Sequence, residues 1–320
     1  MSSFVHLHVH SQYSLLDGAI RLQDLLDTAR SFSMPAVTVT DHGNMFGALE
    51  FYENAKKAGM KPIIGCEVYL APRSRLDRQS RNENGGAVDE DRNYHLLLLA
   101  RDVTGYQNLM KLVSSAYLEG FYYKPRIDKE ILRKWSEGLI ALSACLKGEV
   151  ATHILRRQEE AARKAALEYA EIFGPDNFYL ELQANGIPEQ AIVNEGLIRL
   201  GRELGLPLVA TNDCHYLRRS DARAHEILLG IQTGKTILDE KRMKFHTDQL
   251  YFKSPEEMVQ EFAHVPDAIE NTVAIAERCN LEIDLGSYHF PVFPLDEGES
   301  IEDRFEKTVW EGFEKRLRLI

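Results

Sequence analysis

The sequence predicts an α/β protein, a distorted TIM-like barrel of (β/α)7 type with a metal site at the C-terminal strand ends. Three observations carry this expectation. Short apolar runs alternate seven times with stretches of helical period, the pattern of parallel β/α units. The run Tyr94-His-Leu-Leu-Leu-Leu-Ala100 is nearly all apolar, as a strand buried on both faces is. Titratable or soft residues fall at six strand ends: His8 and His10, His42, Glu67, His95, Cys145, and Asp213 with His215. In a barrel such ends converge on one site, whereas in an open doubly wound sheet they spread along an edge.

The first strand is Phe4-Val-His-Leu-His-Val-His-Ser11. A period of two puts His6, His8 and His10 on one face and Val5, Leu7 and Val9 on the other. Same-face neighbours lie roughly 7 Å apart and can clasp one ion at a strand end. The same short pattern also suits a strand with surface histidines, and the rest of the chain decides between the two.

A helix follows over about 20–32, with Leu22, Leu25, Leu26 and Ala29 as its apolar stripe. The next strand, 36–40, runs into Asp41-His42-Gly43-Asn44, and a helix over about 46–58 ends at Gly59. Strand 63–70 carries Glu67. Residues 73–92 are polar, with Gly85-Gly86, and read as a mobile insertion. Strand 94–100 and a helix over about 104–117 lead to the aromatic-basic run Phe121-Tyr-Tyr-Lys-Pro-Arg126. That run suits either base stacking with phosphate contact or a packed surface loop. Strand 138–145, one long charged helix over about 149–173, strand 178–183, helix 188–204 and strand 207–215 complete the barrel. Further helices are expected over about 220–231, 255–262 and 266–279. The domain is read as 1–280, with 281–320 starting another region.

Composition narrows the class. The 320 residues are 44% apolar, enough for a substantial core. No apolar run approaches the ~18 residues of a membrane helix, and the N-terminus lacks a signal-like segment, so a cytoplasmic protein with no membrane partner is expected. Cys66, Cys145, Cys214 and Cys279 form no CxxC pair, which disfavours a disulfide framework or zinc ribbon. A net charge of −11 disfavours a long DNA-gripping face. If nucleic acid is the partner, contact with an end or a few nucleotides is expected, with metal ions offsetting the local charge.

Each residue of the constellation has an ordinary reading alone. Asp17 or Asp41 suits a helix cap, His95 a satisfied core histidine, and Cys145 a small buried hydrophobe. Glu67 is harder to dismiss, because an unpaired carboxylate in a buried strand is costly. Five histidines, three carboxylates and a cysteine exceed one ion's needs and suit two or three of borderline type, Zn²⁺ first, with Mn²⁺ or Fe²⁺ as alternatives. Such ions activate water and stabilise phosphoryl charge.

HVHSQYSLLDG, TVTDHGN, IIGCEVYLAP, NYHLLLLA, LSACLKGE and TNDCHY resemble the motifs of the polymerase and histidinol phosphatase (PHP) family. FYENAKKAGMKPIIGCEVY, TGYQNLMKLVSSAY, GFYYKPRID and SPEEMVQEFAHVPDAIENTVAIAERCN further resemble the N-terminal part of the bacterial DNA polymerase III alpha-subunit family, over essentially the whole chain. The resemblance implies metal ligands at His8, His10, Asp17, His42, Glu67, His95, Cys145, Asp213 and His215. It implies that Glu67 bridges two ions while Asp17, His42 and His215 hold a third. Glu67, Asp213 and His10 are the residues expected to carry catalysis, and His6 stays in the barrel interior. The resemblance also implies a parent chain continuing beyond Ile320, with 281–320 starting a polymerase palm. Three readings stay open: hydrolysis at a DNA 3′ end, with pyrophosphate hydrolysis as a variant; a metal-stabilised platform for the polymerase core and a proofreading exonuclease subunit; and a free-standing small-molecule phosphatase, which the polymerase-type words disfavour.

Overall fold

Alternation of apolar runs and amphipathic stretches produces, in chain order, α1 (Leu22–Ser31), β1 (Ala36–Val39), α2 (Ala48–Lys57), β2 (Lys61–Leu70), β3 (Tyr94–Ala100), α3 (Val103–Leu118), β4 (Arg126–Ile127) and α4 (Lys129–Lys134). Then come β5 (Leu139–Leu142), α5 (Glu149–Leu155), α6 (Glu159–Phe173), β6 (Phe178–Gln183), α7 (Pro188–Leu204), β7 (Leu208–Thr211), α8 (Ala222–Gln232), α9 (Pro255–Glu261), α10 (Pro266–Arg278) and α11 (Ile301–Leu317). The computed structural model describes residues 4–78, 93–174, 176–240, 242–288 and 290–319. Two units separate, Met1–Glu282 and Ile283–Ile320. In the second, α11 is capped by Ser300, whose hydroxyl accepts the amide of Asp303 at 3.1 Å.

Among the described residues of the first unit, the strands form one curled sheet of order β1-β2-β3-β5-β6-β7, with β4 pairing beside β2. The N-terminal segment bridges its two outer strands. The amide of Thr40 donates to Val9 O at 2.8 Å, that of His10 to Cys214 O at 2.8 Å, and that of Cys214 to His8 O at 3.0 Å. The result is a distorted TIM-like barrel, closed by an extended segment with an isolated bridge, Val9 to Cys214, in place of the regular first strand the pattern suggested. The core gathers Leu97, Leu99, Ile140, Leu142 and Val209 of the sheet, Val5 and Leu7 of the N-terminal segment, and Ile275 and Ala276 of α10.

The expectation of parallel strands throughout fails at one place. β3 runs antiparallel to both β2 and β5, while β1–β2, β5–β6 and β6–β7 are parallel. A parallel return needs a crossover, usually a helix. The 71–93 link shows no helical period, and Tyr94 pairs directly with Leu70 as a returning strand does. His95 therefore lies at the start of its strand, yet at the same end of the barrel as the last residues of β2.

The long helix expected over 149–173 is two, separated where Arg157 adopts φ +57°. The buried positions Ala151 and Ala162 lie about three turns apart, so the stripe keeps phase and hides the break. Of the insertion expected over 73–92, residues 79–92 lie outside the described residues. Its first part is tied down: Arg126 donates to Arg75 O and Asp77 O, and Arg75 pairs with Asp128 at 3.1 Å. Among the described residues, no helix is long and apolar enough to cross a membrane.

Candidate metal centre

Glu67 is set by the pleat. It stands opposite Leu97 in the β2–β3 register, so it shares a face with Leu97 and with His95 one step along. Its Oε1 lies 2.9 Å from His95 Nδ1 and 3.5 Å from His8 Nε2. Its Oε2 lies 2.5 Å from His42 Nδ1 and 3.7 Å from His10 Nε2. One carboxylate, 1% exposed, thus faces four imidazoles from three segments.

The N-terminal segment delivers His8 and His10, whose Nε2 atoms are 3.0 Å apart. Asp213 Oδ1 completes this corner, 3.3 Å from His8 Nε2 and 3.2 Å from His10 Nε2. Asp213 follows β7 with φ +52°, a strained conformation that turns its carboxylate inward. Cys145 Sγ approaches from the loop after β5, 3.6 Å from His95 Nδ1 and 3.8 Å from Glu67 Oε1. On the opposite side Asp17 Oδ2 is 3.3 Å from His42 Nε2, and its Oδ1 is 3.7 Å from His215 Nε2. Asp17 reaches there because Gly18 follows it. A Cβ on Gly18 would lie 2.1 Å from Ser11 O. Neither Asp17 nor Asp41 serves as a helix cap: Asp41 accepts from Ser11 and Ser14 and so ties the loop to the end of β1.

All nine residues singled out in the sequence therefore meet at one end of the barrel. Among the described residues, three sets offer ligand atoms within 4.8 Å of one another: His8, His10 and Asp213; His42, Glu67 and His95; and His10, His42 and His215. The polar atoms left without partners test whether a divalent ion suits them. Asp17 Oδ1, His42 Nδ1, Glu67 Oε2 and Asp213 Oδ1 are buried and make no hydrogen bond. His42 Nδ1 and Glu67 Oε2 are close but not aligned for a hydrogen bond, so both aim at shared space. Orphaned buried donors and acceptors are costly, and a cation removes that cost. Nitrogen and oxygen donors with one sulfur suit a borderline ion.

The electrostatics of the bare residues agree. Burial opposes charge on His8, but Asp213, Glu181 and Glu67 override it and push its pKa up to about 10. Burial likewise opposes charge on His42, and Glu67 and Asp17 override it, again to about 10. Burial with the neighbouring His42 and His215 pulls His10 down to about 3. Glu67 and Asp17 stay far below the ordinary carboxylate range despite burial, because imidazoles surround them. Burial and nearby carboxylates raise the Cys145 thiol, so of the candidate ligands it is the one whose ionisation would most need a metal.

The model of the PHP domain matches residues 6–185. The chain belongs to the PHP domain family. DNA polymerase III subunit alpha of Borreliella burgdorferi is 51% identical over 279 residues, covering 87% of this chain and 24% of that protein. The subunit of Treponema pallidum is 47% identical, covering 99% and 27%. That of Thermus aquaticus is 47% identical, covering 98% and 26%. This PHP chain spans about a quarter of the length of these relatives. Among solved structures, an amidohydrolase from Chromobacterium violaceum gives a TM-score of 0.41 at 15% identity, over 67% of this chain and 88% of that one.

Three supporting residues of this PHP centre escaped the sequence reading. Glu181 of β6 accepts from His8 Nδ1 at 2.6 Å and from Thr211 Oγ1 at 2.6 Å. It is a carboxylate in a buried strand, and the reasoning that singled out Glu67 applies to it equally. Ser14 Oγ lies 3.1 Å from His10 Nδ1 and accepts the His42 amide. His225 Nε2 of α8 lies 3.5 Å from Asp17 Oδ1, and no local pattern marks it.

Proposed function

We propose that this PHP domain belongs to a bacterial DNA polymerase III alpha subunit and hydrolyses phosphodiester bonds at a DNA 3′ end with two or three divalent ions, Zn²⁺ foremost. The observation that supports it is the gathering of three ligand sets around one buried carboxylate, Glu67. His8, His10, Glu67 and Asp213 would hold one ion, Glu67, His95 and Cys145 a second, and Asp17, His42 and His215 a third. Such ions supply charge stabilisation to a phosphoryl group and activate water.

The chain's own residues prepare that chemistry. Glu181 and Ser14 take up the Nδ1 atoms of His8 and His10, which leaves both Nε2 atoms facing the centre. His8 and His10 are fully buried, while Asp17, His42 and Cys145, and to a lesser degree Asp213 and His95, reach solvent, so substrate would enter over these residues and not from behind the two histidines. Water is excluded behind the centre, where charges act more strongly. The expected catalytic residues Glu67, Asp213 and His10 line the junction of the ligand sets. As part of a replicase the domain would work in the cytoplasm.

A second reading draws on a different feature of the same residues. The ligands come from the N-terminal segment, the 11–18 loop, the ends of β1 and β7, β2, β3 and the loop after β5, so the ions would also staple the barrel into a platform for the polymerase core and a proofreading exonuclease subunit. End-labelled single-stranded DNA separates the two. Metal-dependent release of 3′ nucleotides by the parent, absent in Glu67→Gln, supports hydrolysis. A fully metallated parent inert toward both DNA and pyrophosphate supports the platform alone.

A further inference from the structure

We infer that an exposed aromatic row beside the metal centre, Phe46, Tyr117 and Phe121 with Lys124 at its end, is a stacking track that receives the last few nucleotides of a single strand. It rests on the phosphoesterase reading and names the substrate's path to that site. The rings are 59%, 39% and 49% exposed. Phe46 and Tyr117 are 6.3 Å apart between centroids, and Tyr117 and Phe121 are 6.1 Å apart and nearly parallel at 27°. Three large apolar rings side by side in solvent are costly for a surface that serves no contact.

The row begins and ends at the centre. Phe46 donates its amide to Asn44 Oδ1, and Asn44 Nδ2 donates to His42 O. The loop holding Phe121 and Lys124 packs on the residue after His42: a Cβ on Gly43, at φ +61°, would stand 2.9 Å from Pro125 Cγ and from the Tyr69 ring. Lys124 Nζ lies 5.3 Å from the Tyr69 ring centroid, and that ring lies 5.2 Å from His95. Lys147 is exposed, and its carbonyl accepts the His95 amide. Arg126, the remaining cation of the 121–126 run, is buried and donates to Gly120 O, Arg75 O and Asp77 O, so it serves the loop's shape.

Flat rings followed by lysines at a phosphodiester-cleaving centre suit bases and phosphates better than a protein surface. The net charge of −11 restricts the contact to this local strip. Each base has a π-face, so the track is indifferent to sequence.

The probe is fluorescein-labelled oligo(dT) with a phosphorothioate 3′ linkage, followed by anisotropy with the metal-loaded chain. Tyr117→Ala and Phe121→Ala should each weaken binding about ten-fold. Phe121→Trp should restore it, and Lys124→Ala should lower the salt slope by about 0.7. Metal content and melting temperature should not change. Equal binding by the parent and both alanine variants, or no binding by the parent, overturns the track. Unaltered DNA binding with loss of contact to a proofreading subunit overturns it in favour of a protein partner. Hydrolysis of bis-p-nitrophenyl phosphate, which needs no stacking, tests the centre separately. If it is cleaved while the row variants bind DNA normally, the track alone fails; if the row binds DNA while neither ester nor DNA is cleaved, the phosphoesterase reading fails.

Discussion

Nδ1 of His95 sits 2.9 Å from Oε1 of Glu67 although the strands that carry them run in opposite directions. The pair joins the start of β3 to the later part of β2, and Glu67 continues from there to His8, His10 and His42. Glu67→Gln keeps the size and removes the charge. The surrounding imidazoles then lose the anion that faces them all, and the two proposed ion positions would lose a shared ligand. Elemental analysis should show at least one ion lost, and hydrolysis should slow by about 10²-fold or more. Unchanged metal content would remove Glu67 from the centre.

Glu181 supports the centre without facing the entrance. Its Oε1 accepts from His8 Nδ1, Thr211 Oγ1 and Gln183 Nε2. Glu181→Gln replaces the anion that fixes the His8 tautomer. Competition with a coloured chelator should show metal affinity down by about 10–100-fold, while far-UV circular dichroism stays the same. Affinity equal to the parent's would make Glu181 a plain core residue.

Much of this was legible in the sequence because the signals were local. The stripe Leu22, Leu25, Leu26 and Ala29 is the buried face of α1, and α7 has the boundaries expected from its period, Pro188 at its start and Gly205 past its end. Eight of the nine constellation residues were marked by titratable or soft side chains at strand ends, and the family resemblance supplied Asp17 and the role of the set. What was hidden depended on pairing. The direction of β3 is a property of two strands and a link, and only the missing helical period in 71–93 hinted at it. Glu181 lies in a buried strand as Glu67 does, but its role rests on His8, a partner far away in sequence. The break at Arg157 was masked by a stripe that keeps phase across it.

His6 shares the HxHxH run but not the metal centre. Its Nε2 donates to Lys253 O at 2.8 Å, and its ring packs 4.3 Å from Phe252 and 4.8 Å from Phe4. Burial pulls its pKa down to about 4, so the ring is neutral in the fold. His6→Ala should cost about 2–4 kcal/mol through lost packing and an orphaned carbonyl. Urea unfolding should show a lower midpoint at similar slope, with full metal content and near-parental activity per folded molecule. Loss of metal in a folded His6→Ala chain would bring His6 into the ligand set.

The proton balance of the centre gives the last prediction, because loaded and chelated chains should respond to pH with opposite signs. In the chelated chain His8 and His42 hold protons up to about pH 10, against 6.5 when unfolded. A raised pKa stabilises fully below 6.5, and that contribution is lost as pH rises toward 10. His6 and His10, lowered in the fold, are neutral there and only about a quarter protonated when unfolded at pH 7, so they add a smaller slope of opposite sign that fades by pH 8.5. Chelated protein should therefore lose stability as pH rises through this window, on the order of 1 kcal/mol per unit for each ring. Ions need both imidazoles deprotonated, so loading expels these protons and tightens with pH, by about 10-fold per unit for each proton displaced. Titration calorimetry in two buffers of different ionisation enthalpy counts the protons, and at least two should leave per fully loaded chain at pH 7. Melting curves at pH 7 and 8.5 should show the gap between loaded and chelated chains widening. A gap that narrows, with no proton released, would mean that His8 and His42 do not bind the ions.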